Sequence, residues 1–231
     1  IENALETYES AGIHNHVVVV GHHAEQVMEE VSRSRPDVIF AFQHEQRGTG
    51  DAVQCGLKAL ENAGHSGRVV IGTGDKVISP STLRDLVETH LLSEKDLHLT
   101  VGHSRDFPHS GRIISHEGRV LGILEVPDIR ARQLARRLEA VSRSNGDIRT
   151  GELRQLASDY VSSDSHLRRF LPELHDLLQT KDETRLPTEK IRAAVAGFPE
   201  RFQLNGLALH PDQAARSPLC NLSVYAGKVQ T

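Results

Sequence analysis

A chain of 231 residues is long enough for one sizeable domain, or for one domain that carries a large insertion. Its 38% hydrophobic and 25% charged residues are the composition of an ordinary globular protein, and its net charge of −4 excludes the basic surface that binds nucleic acids or anionic membranes. Because the sequence shows neither an apolar run of about 20 residues nor a basic-then-apolar signal segment at its start, we expect a cytoplasmic protein without nucleic-acid or membrane partners.

The first half of the chain predicts helices and strands in alternation. Apolar residues at helical spacing predict a helix over residues 1–8, which Gly12 ends. The continuous apolar run Val17–Val20 predicts a strand that is buried on both faces. The remaining elements continue the alternation: helix 24–32, strand 38–42, helix 52–62, strand 69–71, helix 81–92 and strand 97–101. This order predicts an α/β fold of Rossmann-like type with a mixed, mainly parallel sheet.

The second half of the chain changes in character. Residues 112–115 and 119–125, joined by His116-Glu117-Gly118, predict a β-hairpin. From Pro127 to Pro218, apolar residues recur at helical spacing among many Arg, Leu, Glu and Gln residues, and loop signals divide this stretch into about four helices. The loop signals are Ser144-Asn145-Gly146, Asp182-Glu183-Thr184 and Gly197-Phe198-Pro199.

The strand-like residues 221–226 come after these helices and need a sheet to join. We therefore interpret residues 127–218 as a helical insertion into an α/β core at residues 1–126, to which residues 219–231 return. A separate helical domain, unrelated to the core, is the alternative. The first helix of the insertion is rich in arginine, which indicates either a lid that reaches a phosphate or a solvated face. These arginines are Arg130, Arg132, Arg136, Arg137 and Arg143.

Two segments suggest the chemistry of a ligand site. The turn Gly48-Thr49-Gly50 lies between a predicted strand and a predicted helix, where glycine backbones can approach a ligand and the helix N-terminus favours an anion or a carbonyl. A tight strand-to-helix connection explains this turn equally well. Asp75 follows the next strand, at the carboxyl end where open α/β sheets bind their ligands.

Several loose motifs occur in one order along the chain. They are Val17-Val18-Val19-Val20-Gly21-His22, Gln43 with Gln46-Arg47-Gly48-Thr49-Gly50, Gly74-Asp75, and Gly111-Arg112-Ile113 with Gly118-Arg119-Val120. Together they resemble the sugar-1-phosphate nucleotidyltransferases, and within that family the uridylyltransferases that make UDP-N-acetylglucosamine. The resemblance runs from about Ile1 to Glu125 and resumes at residues 221–226.

The resemblance implies a reaction and a nucleotide site. A sugar 1-phosphate, expected to be N-acetylglucosamine 1-phosphate, attacks the α-phosphate of an NTP, expected to be UTP, and pyrophosphate leaves. The fold expected is that of the nucleotide-diphospho-sugar transferases. Gln43 matches the glutamine that binds the base, and Gly48 and Thr49 match the contacts beside it. The alternative for Gln43 is an ordinary polar strand end.

The resemblance also implies a metal and a sugar site. Asp75 matches the catalytic aspartate that holds Mg²⁺, which prefers oxygen ligands and takes one or two carboxylates; a helix or turn cap is its alternative. Gly111, Glu125 and Asn221 match the residues that bind the sugar. Glu125 is an unusual charge at the end of an apolar strand, which favours a function. Asn221 could equally be a turn residue at the start of a strand.

The chain departs from the family pattern at several positions. Lys76-Val77-Ile78 replace an apolar residue, proline and leucine; Ser110 replaces a tyrosine; and Val126-Pro127 stand where a basic residue is usual. The family's glycine-rich phosphate loop is expected before Ile1, and its second metal ligand beyond Thr231. A nucleotide-sugar-binding or regulatory module without catalysis is therefore the alternative function. A third alternative is that the insertion, or a segment beyond Thr231, mediates assembly with another subunit or domain.

Overall fold

The computed structural model describes residues 1–45, 47–143, 146–179 and 185–228. It divides into two compact units: the first comprises Ile1–Thr100 and the last strand from Leu222, and the second comprises Val101–Asn221. The boundaries predicted from the sequence, at residues 126 and 218, stay a prediction. Parts of the sequence interpretation lie outside the described residues, namely Gln46 of the family motif and the loop signals at Ser144-Asn145 and Asp182-Glu183-Thr184.

The first unit contains every helix and strand that the sequence predicts for it, with ends that differ by up to three residues. These elements are α1 (Glu2–Ser10), β1 (Val17–Val20), α2 (Ala24–Ser34), β2 (Ile39–Phe42), α3 (Thr49–Asn62), β3 (Arg68–Gly72), α4 (Pro80–Leu91) and the start of β4 (Leu97–His103). Helix α4 begins as the sequence predicts, because the Ser79 hydroxyl accepts a hydrogen bond from the Thr82 backbone N–H and Pro80 opens the first turn.

Strand pairing in the first unit is both parallel and antiparallel. β1 and β2 lie parallel, with Val20 opposite Phe42. β3 pairs antiparallel with the end of the last strand, where Ile71 lies opposite Tyr225. Apolar side chains of α1, β1 and α2 form one buried cluster, and those of α4 and the last strand form another. The mixed α/β fold predicted from the sequence is confirmed, and none of the described helices is long and apolar enough to cross a membrane.

The second unit begins with the predicted hairpin and continues as helices with short strands between them. Its elements are β5 (Arg112–His116), β6 (Arg119–Leu124), α5 (Val126–Ser142), β7 (Asp147–Arg149), α6 (Thr150–Tyr160), α7 (Asp164–Phe170), α8 (Pro172–Leu178), β8 (Arg185–Pro187), α9 (Thr188–Val195), β9 (Phe202–Leu204), β10 (Leu207–Leu209), α10 (Pro211–Ala215) and the start of β11 (Leu219–Lys228). β5 and β6 pair antiparallel, as predicted.

The prediction of about four helices in the insertion is wrong: its described residues form six. Pro172 explains part of the difference, because it opens α8 directly after α7, which a proline cannot continue; Pro211 opens the short helix α10 after β10. Two small antiparallel sheets, β7 with β8 and β9 with β10, were also missed. Their strands have three residues each, too few for an alternating pattern to stand out in the sequence.

Helix α5 contributes to two hydrophobic clusters among the described residues of the second unit. Its early residue Ile129 packs in a cluster with Ile114 and Leu124 of the hairpin and with Phe202 and Ala214. Its later residues lie in a larger cluster with the other helices of the insertion; they are Leu134, Ala135 and Leu138. Both clusters are buried, so α5 joins the hairpin to the helical part of the unit.

Candidate functional site

The turn between β2 and α3 has the geometry that its glycine suggests. Gly48 is the residue before the first helical turn, and its φ of 103° lies in a region that non-glycine residues rarely adopt. Helix α3 therefore begins at Thr49, three residues before the predicted start at Ala52. Gly48 and Thr49 are both exposed, so the N-terminal turn of this 14-residue helix faces solvent. Its free backbone N–H groups can bind an anionic or carbonyl oxygen of a ligand.

Gln43 links the end of β2 to this turn. Its backbone N–H donates to the Val20 carbonyl at 2.8 Å, which fixes the residue beside β1. Its side-chain Nε2 donates to the Gly48 carbonyl at 3.2 Å and to Asp51 Oδ2 at 2.7 Å. The structure thus brings together Gln43, Gly48 and the start of α3, three parts of the nucleotide site that the resemblance implies.

An aromatic side chain lies at the end of β2, directly before Gln43 in the chain, at the solvent surface. Phe42 is 48% exposed, and its ring meets the His44 ring edge-on with centroids 4.7 Å apart. Neither ring was identified as a candidate from the sequence, although an exposed phenylalanine beside a polar ligand residue is a recognisable signal once burial is known. The two rings form an exposed aromatic pair at the end of β2.

Asp75 lies in an exposed turn after β3 and not at a helix cap. The turn is closed by the Lys76 backbone N–H, which donates to the Thr73 carbonyl at 3.1 Å. Ser79 caps helix α4, so Asp75 is not that helix's cap, while the alternative of a turn cap stays open. Among the described residues no three His, Cys, Asp or Glu side chains converge as metal ligands. One exposed carboxylate fits Mg²⁺, which completes its shell with water and substrate phosphates.

The three residues predicted to bind a sugar converge in the second unit. The Asn221 backbone N–H donates to the Gly111 carbonyl at 2.9 Å. A Cβ added to Gly111 would lie 3.0 Å and 3.1 Å from the two carboxylate oxygens of Glu125. Gly111 and Asn221 are both buried, and Asn221 lies inside β11, so the alternative of Asn221 as a turn residue is wrong. This convergence unites residues from three separate parts of the chain.

Glu125 differs from its prediction in one respect. Strand β6 ends at Leu124, and Glu125 is the residue before the first turn of helix α5, not a strand residue. A charge there is less unusual than the sequence suggests, because a helix N-terminus stabilises a carboxylate. Although Glu125 as a whole is exposed, desolvation of its carboxyl group, and then the negative Asp128, raise its pKa above the usual value.

Arg112 is a buried side chain whose role the sequence did not reveal. Its guanidinium donates to the carbonyls of Phe107, Pro108 and Ser110, at 3.4, 3.0 and 2.5 Å. These are the loop residues that lead into Gly111, so Arg112 holds the backbone of the sugar-binding group in place. The motif that contains Arg112 was recognised, but a buried charge with backbone partners cannot be read from sequence alone.

Two of the five arginines, Arg132 and Arg136, contact other parts of the insertion, whereas Arg143 is exposed and pairs only within the helix end. Arg132 lies over the rings of Phe198 and Phe202, with distances of 5.4 and 4.2 Å to their centroids. Arg136 lies 3.6 Å from Asp212, and Arg143 donates to Glu139 at 2.8 Å. The remaining two, Arg130 and Arg137, are exposed, as the solvated-face interpretation predicts.

Comparison with known proteins identifies the family of this chain. Residues 1–141 match the family model described as nucleotidyl transferase. The bifunctional protein GlmU of Clavibacter sepedonicus is 31% identical over 212 residues, which cover 90% of this chain and 42% of that protein. GlmU of Mycolicibacterium gilvum is 32% identical over 217 residues, with the same two coverages, and GlmU of Geobacter sulfurreducens is 33% identical over 219 residues, 86% of this chain and 45% of that protein. The chain thus spans less than half the length of these relatives.

Proposed function

Because the chain belongs to the nucleotidyl transferase family, we propose that it transfers a uridylyl group from UTP to N-acetylglucosamine 1-phosphate and releases pyrophosphate. The observation that carries the proposal is the convergence of Gly111, Glu125 and Asn221. These groups suit a sugar. Its hydroxyls both donate and accept hydrogen bonds, which a carboxylate and an amide side chain can satisfy, and its ring can approach a glycine backbone closely.

Each sugar-binding residue has a distinct part in this proposal. The Glu125 carboxylate accepts hydrogen bonds from sugar hydroxyls, and its raised pKa reflects desolvation at the place where the ring would lie. Gly111 lacks a Cβ, which lets the Glu125 carboxylate pack closely against its backbone. Asn221 is held by its backbone to Gly111, so that its position relative to Glu125 is set before a ligand arrives.

The nucleotide part of the proposal rests on Gln43 and the start of α3. Gln43 faces the base, and Gly48 and Thr49 present backbone N–H and hydroxyl groups beside it. The exposed N-terminal turn of α3 favours carbonyl or phosphate oxygens of the nucleotide. The partners in this proposal are two charged small molecules, and we expect the reaction to take place in the cytoplasm, where phosphorylated metabolites are retained.

Asp75 is the residue that would hold a divalent cation, proposed to be Mg²⁺. When bound, the cation supplies charge neutralisation on the phosphate oxygens during the displacement of pyrophosphate. Asp75 is exposed at the carboxyl end of β3, so its carboxylate is accessible to a hydrated ion. Its own part is to present a negative oxygen ligand next to the bound nucleotide.

A second candidate function is a nucleotide-sugar-binding module without catalysis, which would assemble with a partner through the helical insertion. The observation that favours it is Lys76, a cationic side chain directly after Asp75 and exposed with it. An ammonium group there competes with a metal ion for the carboxylate.

One pair of measurements on the full-length protein separates the two functions. The enzyme releases pyrophosphate from UTP only when N-acetylglucosamine 1-phosphate is present, and it also binds UDP-N-acetylglucosamine. The module binds the nucleotide sugar without releasing pyrophosphate at any Mg²⁺ concentration. A protein that neither binds the nucleotide sugar nor releases pyrophosphate contradicts both proposals.

A further inference from the structure

We propose that Asp51 is a positioning residue that fixes the orientation of the Gln43 amide and thereby decides which base the site accepts. The inference rests on the proposed function, because it needs a nucleotide base beside Gln43. Asp51 had no assigned role in the sequence interpretation. It lies at the third position of helix α3, eight residues after Gln43, and is partly buried.

The hydrogen-bond partners of Gln43 define which end of its amide faces the protein. Nε2 donates to Asp51 Oδ2 at 2.7 Å and to the Gly48 carbonyl at 3.2 Å. A carboxylate and a carbonyl are both acceptors, so the amide oxygen cannot replace the nitrogen there without repulsion. The orientation therefore follows from the chemistry of the two partners.

Asp51 makes the stronger contribution of these two partners. Its bond to Gln43 is short and involves a negatively charged acceptor, a type of hydrogen bond about twice as strong as a neutral one. The Gly48 carbonyl is farther away and neutral. Asp51 is also carried by a regular helix, whereas Gly48 belongs to the turn before it. Without Asp51, one weaker bond would remain to hold the amide.

The fixed orientation leaves the amide oxygen of Gln43 as the group that can meet a ligand. Nε2 has two hydrogens, and its two acceptors use both of them. Oε1 is an acceptor, and no hydrogen bond to it comes from the residues that the structure describes. An acceptor at this point pairs with a donor on the ligand.

This acceptor distinguishes the two common pyrimidines. Uracil carries an N–H on its imide nitrogen, which donates to an amide oxygen. Cytosine carries a lone pair on the corresponding ring nitrogen, which repels that oxygen and would instead need an amide N–H. Held by Asp51, Gln43 therefore favours a uracil or thymine nucleotide. An amide free to rotate by 180° could present either its oxygen or its N–H, and would pair with either base.

A simpler role for Asp51 would be to stabilise the N-terminal turn of α3 through its negative charge. The two roles differ in what a substitution changes. Loss of helix stabilisation lowers stability and weakens every nucleotide alike. Loss of positioning changes the ratio of affinities for UTP and CTP, and does so only when Gln43 is present.

The experiment compares the dissociation constants of UTP and CTP, by calorimetry, for the full-length parent and for Asp51→Leu, Asp51→Asn and Gln43→Ala. We expect Asp51→Leu to reduce the UTP preference about tenfold, since one discriminating pair is lost. Asp51→Asn should retain most of the preference, because an asparagine oxygen still accepts from Gln43. Asp51→Ala serves in place of Asp51→Leu if the leucine variant does not fold.

The decisive control is the double variant Gln43→Ala/Asp51→Leu. In the Gln43→Ala background, Asp51→Leu should leave the UTP-to-CTP ratio unchanged. An unchanged ratio in Asp51→Leu itself, or a change that persists without Gln43, overturns the positioning role and leaves the proposed function intact. A parent protein that binds neither nucleotide overturns the proposed function and this inference with it.

Discussion

Gly111 and Glu125 share one space: the position of a Cβ on residue 111 lies 3.0 Å from Oε1 of Glu125 and 2.9 Å from a methyl group of Ile123. Gly111→Ala must therefore displace the carboxylate, and we expect it to weaken binding of UDP-N-acetylglucosamine about tenfold, the equivalent of one lost hydrogen bond to a charged group. Gly227→Ala is the matched control, because its Cβ would meet its nearest atom at an ordinary 3.5 Å. Calorimetry on both variants tests this, and equal affinities would show that Glu125 does not bind the sugar from this position.

Asp75→Asn tests the metal role. We expect the rate of pyrophosphate release by the full-length protein to fall by about 10²-fold or more, because a neutral amide binds the cation more weakly. Binding of the nucleotide sugar should weaken much less, since Asp75 is proposed to contact the metal and not the sugar. A parent-like rate at saturating Mg²⁺ would remove Asp75 from the metal role. Lys76→Ala is a useful companion, and a rise in metal affinity is expected from it.

Gln43→Ala tests the base contact. We expect UTP binding to weaken by about 1–3 kcal/mol, because the base edge and the Asp51 carboxylate both lose a partner. Calorimetry with UTP measures the change directly. Glu45→Ala is the control, since Glu45 is an exposed neighbour whose side chain pairs with Arg47. If Gln43→Ala and Glu45→Ala bind UTP equally well, Gln43 does not contact the base.

Arg132→Ala tests the contacts that attach α5 to the rest of the insertion. The guanidinium lies over two phenylalanine rings and donates to the Pro199 carbonyl. We expect its removal to lower the free energy of unfolding by about 1–3 kcal/mol. Arg132→Lys should be intermediate, because an ammonium lacks the flat face that stacks on a ring. Urea unfolding provides the measurement, with the exposed Arg137→Ala as the control; a loss as large in Arg137→Ala would mean that general charge, and not stacking, is responsible.

The buried side chain of His90 leads us to expect that the free energy of unfolding falls in mild acid. It is 1% exposed, and its Nδ1 lies 3.0 Å from Nδ1 of His98. Burial lowers its pKa, as do the nearby positive groups of His98, Arg68 and Lys228. The folded state therefore binds a proton at His90 less readily than the unfolded state does. Neutral His90 contributes its full share to the free energy of unfolding above the unfolded pKa of about 6.5, and this share declines as the pH falls below that value.

His90→Gln should remove part of this pH dependence. Urea unfolding at pH 5.5 and pH 7.5 measures it for the parent, for His90→Gln and for the exposed control His109→Gln. We expect the difference between the two pH values to shrink in His90→Gln alone. A difference that is the same in all three proteins would assign the acid sensitivity to other groups.

Local signals in the sequence predicted the parts of the structure that depend on local chemistry. The run Val17–Val20, the cap at Ser79 and the hairpin turn at Gly118 each determine their element within a few residues. The order of motifs also led to Gly111, Glu125 and Asn221, which the structure brings together. The predictions of secondary structure succeeded because turn, cap and strand preferences act over short distances; the sugar-binding role of the three residues stays a prediction.

Contacts between distant residues could not be predicted in this way. The bond between Gln43 and Asp51 depends on how α3 folds back on the end of β2, and the rings that hold Arg132 come from a segment near residue 200. The end of β6 at Leu124 was misplaced by one residue, because Val126 and Pro127 suit the first turn of a helix as well as a loop. Side-chain packing, which decides such cases, is not encoded in any single window of sequence.

Helix α5 has a consequence for how the second unit melts. Its first turns pack on the hairpin through Ile129, and its later turns pack on the other helices through Leu134 and Leu138. Elements that pack on the same helix lose protection together, so amide hydrogens of β5, β6 and the insertion helices should exchange with one shared opening free energy. Residues 127–218 cover Ile114 and Leu124 of the hairpin, and their removal would expose these two side chains. We therefore expect the helical segment and the hairpin to unfold together.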